Sequence, residues 1–337
     1  MPVIAVDAMG GDFAPDDVVK GVAQVSLHTE IESLLVGDEQ QIQATLDRIP
    51  YNPERIAIHH TDEFVAAVDD AGTGIRHRRR TSIMVAARLV AEGRAQAVVT
   101  AGNTAAALAA CARYFRTIEG LCQVALCGVF PRQTLYAGQD PLALLLDVGA
   151  SVRCEAADLV RFAVMGSVYA RHVSKLAEPR VALLNMGSEE NKGGAVLIEA
   201  FRRLKNQPSV NFVGNIEGHG LTKGTADVIV CEGLLGNVVI KLLGAMADVV
   251  VDSAGTGRRE NWRHKLGTFM LESGAGRLRE LAAYEDYGGA PILGFDRLML
   301  RLPGRANARS VENAIKVSAK AVCSGVVREI AAGVERL

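Results

Sequence analysis

A chain of 337 residues that is 49% hydrophobic can bury a large core, and its palette of Ala, Val, Leu and Gly with only 5% aromatics disfavours an all-β sandwich. Thirty-seven basic against thirty-eight acidic side chains leave a formal charge of −1, so no global field draws the protein onto nucleic acid or anionic lipid. The six cysteines, mostly in apolar runs and without a CxxC pair, argue against a zinc site and a disulfide framework; they read as reduced, buried, small hydrophobes.

The chain enters a strand at residues 3–8 (VIAVDA) without a basic leader. No later stretch reaches the roughly 18 uncharged apolar residues of a membrane span, so a cytosolic protein is expected. Further strand-like runs follow at 34–38, 55–60, 97–102, 142–149, 181–187, 211–215 and 227–231, most of them separated by helical patterns. Continuous apolar strands alternating with amphipathic helices predict a three-layer α/β/α fold around a mainly parallel sheet, one unit over residues 1–337. Residues 234–282 predict a protruding helical pair interrupted by Gly255, Gly257, Gly267, Gly274 and Gly276. An apolar run at 298–302 and one terminal helix from about 307 complete the chain.

Many strands end in clusters of Gly, Asn or Asp, and in open parallel sheets ligands bind beyond the carboxyl ends of the strands. The first cluster is Gly10-Gly11-Asp12, where paired glycines let backbone approach a phosphate or thioester and Asp12 either orients a donor or caps the next helix. The second is Gly102-Asn103-Thr104, at the mouth of a helix that begins with small residues; Asn103 is a good N-cap, and the N–H groups behind it suit an anion. Asp147 ends a fully apolar strand, where it serves a ligand or caps neighbouring backbone. Asn185, Gly187, Lys192, Asn215, Asn237 and Lys241 complete the set: the lysines can neutralise phosphate and the asparagines can hydrogen-bond a carbonyl oxygen. A G-x-S-x-G elbow, a Walker A loop, H-E-x-x-H and an early G-x-G-x-x-G are all missing from the sequence.

Two basic segments remain, residues 76–80 with Arg76, Arg78 and Arg79, and residues 256–280 with Arg258, Arg259, Arg263 and Lys265 beside Trp262 and Phe269. Each is a solvated helix face, a dock for an acidic partner, or a membrane contact.

In this order and spacing the segments VDAMGGDFAP, LLVGDE, TAGNTAAAL, LLLDVGASVRC, FAVMGSVYAR, NFVGNIEG, ADVIVCEGLLGNVVIK and YGGAPILG resemble the PlsX family of acyl-acyl-carrier-protein:phosphate acyltransferases. The resemblance implies a fold similar to phosphotransacetylases and isocitrate-type dehydrogenases, usually a homodimer, without metal or organic cofactor. It also implies acyl carrier protein and inorganic phosphate as partners, and a product passed to a membrane acyl-phosphate:glycerol-3-phosphate acyltransferase. Three places depart from the family pattern. Ala105-Ala106 stand where Gly-Ala is usual, Thr81-Ser82-Ile83 where Ser-Ser-Met is usual, and Pro303-Gly304-Arg305-Ala306 where His-Gly-Ser-Ser is usual.

A thioester is already activated and phosphate is already an anionic nucleophile, so the protein needs only to position and to stabilise an oxyanion. The expected arrangement has Asn103, Thr104, Lys192 and Ser82 on phosphate, with Asn185, Asn215 and Asn237 along the thioester carbonyl. Gly10, Gly11 and Asp12 form the floor, and the basic segments meet carrier protein or membrane. The rival readings are a short-chain phosphotransacetylase-like enzyme, a β-decarboxylating dehydrogenase and a non-catalytic carrier- or membrane-binding paralogue. The first predicts a small acyl pocket, the second lacks clustered carboxylates, and the third rests on residues 303–306 alone.

Overall fold

The structure is a computed structural model that describes residues 1–65, 78–136, 138–256 and 288–337. In chain order the first half carries β1 (Val3–Asp7), α1 (Asp16–His28), β2 (Glu32–Gly37), α2 (Glu39–Leu46), β3 (Ile56–His60), α3 (Ser82–Ala91), β4 (Ala97–Thr100), α4 (Thr104–Tyr114), β5 (Ala125–Leu126), β6 (Gly128–Pro131) and β7 (Leu142–Leu146). The rest carries α5 (Ala156–His172), β8 (Arg180–Leu184), α6 (Gly194–Lys205), β9 (Asn211–Ile216), β10 (Val228–Val230), α7 (Gly233–Thr256), β11 (Ala290–Leu293), β12 (Leu298–Arg301), α8 (Ala308–Cys323) and α9 (Val326–Glu335).

The expected mainly parallel, helix-flanked arrangement is present, but it is divided between two sheets. The larger has the order β3-β2-β1-β4-β12-β11-β5 and the smaller β6-β7-β10-β8-β9. Strands β3, β2, β1, β4 and β12 are parallel neighbours, as are β7, β10, β8 and β9. Antiparallel strands lie where the sheets approach each other: β11 beside β12 and β5, and β6 beside β7. Residues 125–131 pass from one sheet into the other, with the Cys127 N–H on the Pro291 carbonyl at 2.9 Å.

Strand alternation explains the layers. Ile4 and Val6 pack on one side with α1, α5, α8 and α9, whereas Ala5 packs on the other with α3 and α4. Leu144 and Leu146 join the first layer and Leu145 the second, so both layers draw on both sheets. Each fully buried Leu, Ile or Val here contributes about 1.5–3 kcal/mol of transfer free energy. Small residues let α4 lie close to its sheet, with Ala106, Ala107 and Ala110 completely covered.

The expected terminal helix is two helices. Gly325 takes φ +66 between α8 and α9, a left-handed conformation that ends one helix and starts the next. The expected helical pair is described only through α7, and its second half lies outside the described residues. Among the described residues no helix is long and apolar enough to cross a membrane. Burial of the cysteines is mixed: Cys111, Cys127 and Cys231 are buried, Cys154 is half-buried, and Cys122 and Cys323 are exposed. Burial raises the thiol pKa of the first three, and pushes Cys154 up to about 11.

Candidate active site

The carboxyl ends of β1 and β4 are tied by one buried side chain. Asp7 lies beneath Gly10 and Gly102, accepting the Thr100 hydroxyl at 2.7 Å and the Met9 N–H at 3.3 Å. Burial raises its pKa, and hydrogen bonds from Ser82, Thr100 and Met9 oppose that rise only in part. The Thr100 oxygen in turn accepts the Gly102 N–H at 3.0 Å, which fixes the turn into α4.

Asn103 caps α4 with its own oxygen, accepting from Ala105 N at 2.8 Å and Ala106 N at 3.3 Å. Two of the N–H groups expected to face an anion are therefore satisfied by the cap. Opposite stands the divergent loop at 303–306, whose Gly304 carbonyl accepts the Asp12 N–H at 2.7 Å. Gly11, at φ +110, fits beneath it, because a side chain there would stand 3.1 Å from that carbonyl.

These turns enclose a cavity of about 370 Å³ lined by Gly11, Gly102, Asn103, Thr104, Arg301 and Gly304 among others. A second cavity of about 540 Å³ shares Thr104, Ala105 and Arg301 with it. This one runs between the sheets along Leu108, Leu126, Val129, Val148 and Ile240, with Asn237 and Lys241 on its wall. The volumes fit small-molecule pockets, and the pair changes from polar to apolar across the shared residues.

The sequence candidates fall into three groups. Gly10, Gly11, Asp12, Gly102, Asn103 and Thr104 gather around the smaller cavity, with Ser82 buried behind them against Asp7. Asn237 and Lys241 reach the larger one. Asn185, Gly187 and Lys192 lie in the loop after β8, Asn215 lies on the edge strand β9 of the smaller sheet, and none of the four lines either cavity. There Asn185 Nδ2 donates to the Lys192 carbonyl at 3.1 Å and Asn215 Nδ2 to the Glu189 carbonyl at 2.8 Å, stitching the loop after β8.

Asp147 is completely buried, and both of its oxygens are engaged. Oδ1 accepts from Leu126, Gly149 and Ala150 N–H, and Oδ2 from the Ser151 N–H and hydroxyl. Ser151 Oγ also accepts the Gly233 N–H at 3.2 Å, so this carboxylate anchors the first turn of α7 and thereby Asn237. Asn237 Nδ2 closes the arrangement on the Val148 carbonyl at 3.0 Å. Arg301, which touches both cavities, escaped the sequence reading. The only signal for it was a cation inside an apolar strand.

The model of the fatty acid synthesis protein family matches residues 3–329. The chain belongs to that family. Its curated relatives include a phosphate acyltransferase of Dictyoglomus turgidum, 36% identical over 99% of this chain and 98% of that protein. Another, from Moorella thermoacetica, is 37% identical over 96% and 93%. Among solved structures, a phosphotransacetylase from Streptococcus pyogenes matches with TM-score 0.64 at 14% identity, covering 96% of this chain and 94% of that one. A branched-chain phosphotransacylase from Enterococcus faecalis matches at 0.57 and 16%, covering 96% and 99%. At such identities these two establish the fold, a mixed α/β fold with mostly parallel sheets. Within the family fold, the departures at Ala105 and at 303–306 fall on the rims of the two cavities.

Proposed function

We propose that this protein transfers a fatty acyl group from acyl carrier protein to inorganic phosphate, releasing the carrier thiol and forming an acyl phosphate. The observation that carries the reading is the junction of a polar and an apolar cavity at Thr104, Ala105 and Arg301. In this reading phosphate takes the polar side and the acyl chain the apolar side, with the thioester carbonyl between them. A phosphate oxygen attacks that carbonyl, the tetrahedral intermediate collapses, the C–S bond breaks, and the thiolate leaves to take a proton from solvent. Such a site needs positioning and charge neutralisation rather than a side-chain nucleophile. Of the three asparagines expected along the thioester carbonyl, Asn237, held on the Val148 carbonyl, is the one that lines a cavity; Asn185 and Lys192 would act only by reaching in from the loop after β8, and Asn215 from β9.

Carrier docking is supported by exposed Arg78 and Arg79 before α3, and salt is expected to raise the KM for acylated carrier. Arg76, Arg258, Arg259, Arg263 and Lys265 lie outside the described residues. Leu234, Val238, Leu242, Met246 and Val249 form an exposed stripe along α7, which supports contact with a second copy of the chain or with lipid. Leu242→Glu is expected to lower the sedimentation-derived mass or to release the protein from liposomes.

The decisive assay is phosphate-dependent release of thiol from palmitoyl carrier protein, with acyl phosphate trapped by hydroxylamine and acetyl-CoA run in parallel. Turnover of the long-chain substrate supports the proposal, turnover of acetyl-CoA alone replaces it with a short-chain reaction, and turnover of neither refutes both.

A further inference from the structure

We propose that Arg301 is the cation that selects and holds the phosphate nucleophile, an inference that rests on the acyl-transfer reading and assigns a residue to it. Arg301 ends β12, paired in parallel register with Thr100, the residue that fixes the turn into α4. Its backbone is held from both sides: Ala290 faces it across β11, and the next residue, Leu302, donates its N–H to the Thr100 carbonyl at 2.7 Å. Arg301 lines both cavities.

Among the described residues lining the smaller cavity, Arg301 is the only charged one. A phosphate entering there meets the glycine turns, the capped end of α4 and one arginine. A planar fork of N–H donors matches two phosphate oxygens at once, and its charge also favours the oxyanion that develops at the junction. Lys241, exposed on the wall of the larger cavity, does not line the smaller one. The phosphodiester of a carrier's pantetheine arm offers similar chemistry, but it is separated from the thioester by the length of that arm. The junction therefore suits free phosphate.

The test separates binding from turnover. Arg301→Ala is expected to raise the KM for phosphate by about 10-fold or more, the equivalent of one lost charge-assisted hydrogen bond, while the KM for acylated carrier stays within about twofold. Arg301→Lys, which keeps charge but loses the fork, should fall between. In parallel, inorganic phosphate without acyl donor should raise the Tm of the wild-type protein and leave that of Arg301→Ala unchanged. A wild-type phosphate KM and Tm shift in Arg301→Ala overturn the proposal; a raised carrier KM with an unchanged phosphate KM overturns it in favour of the pantetheine phosphodiester. Should the alanine variant fail to melt cooperatively, Arg301→Lys decides: a raised phosphate KM supports the assignment and an unchanged one overturns it. If wild type shows no phosphate-dependent acyl release yet loses phosphate protection on Arg301→Ala, the transfer reading fails and the arginine site stands.

Discussion

The Thr100 hydroxyl donates to Asp7 at 2.7 Å and accepts the Gly102 N–H at 3.0 Å, joining the ends of β1 and β4 through a single side chain. Thr100→Val keeps the shape and removes both bonds, leaving a buried carboxyl and a backbone donor without that partner. The expected cost is about 1–3 kcal/mol in urea unfolding, with a loss of activity larger than the loss of folded protein. An active enzyme with unchanged stability would refute this role.

The same pair predicts a pH dependence. Burial raises the pKa of Asp7 in the folded state. Its contribution to stability is then fully present below the unfolded carboxylate value of about 3.9 and is lost as pH rises through the folded value. The stability of wild type relative to Asp7→Asn should therefore decline from acid toward neutral pH. Chemical denaturation of both proteins across that range checks the sign; a difference that grows with pH would contradict it.

Gly10 has no room for a side chain. An added Cβ would stand 2.6 Å from Asp7 Oδ2 and 2.8 Å from the Gly102 nitrogen, and the second of these is backbone. Gly10→Ala should destabilise by about 1–3 kcal/mol and raise the phosphate KM, because the strain is relieved by moving the cavity floor. Urea melts and phosphate titrations check the two parts.

Asp147 behaves as a structural carboxylate in this geometry. Asp147→Ala would strip four backbone N–H groups and the Ser151 hydroxyl of their acceptor, at an expected cost of at least about 3 kcal/mol. Asp147→Asn should lose less, since one oxygen remains. A folded, merely inactive alanine variant would return this residue to a direct role in binding.

The apolar cavity should act on chain length. Leu108→Trp is expected to lower kcat/KM for long acyl donors by about 10-fold or more while sparing short ones. Equal losses across chain lengths would show that acyl chains lie elsewhere.

Much of this was legible in the sequence because β1, β4, β7, β8 and β10 are continuous apolar runs ending in Gly, Asn or Asp, and buried parallel strands announce themselves that way. Strands β5, β6 and β11 were not legible. They span two to four residues, include Gly128, Pro131 and Pro291, and owe their pairing to partners far along the chain. The division into two sheets follows from those same strands and was hidden with them. At the site, Gly10, Gly11, Asn103 and Thr104 were readable as a turn and a cap. Arg301 was not, because its meaning comes from β12 lying beside β4, and nothing local to residues 298–302 reveals that neighbour. Asp147 could be seen as a costly buried charge, but four of its five donors come from a turn whose shape the sequence does not spell out, and the fifth from Leu126 on β5.

The passage of residues 125–131 between the sheets makes this segment a shared key to register. Ala125 and Cys127 face one apolar layer while Leu126 and Phe130 face the other. Leu126 and Cys127 are also locked by N–H bonds to Asp147 and Pro291. A shift of one residue would turn every one of these side chains to the wrong layer, in both sheets at once. Insertions and deletions should be lethal to folding here, although the segment is only seven residues long.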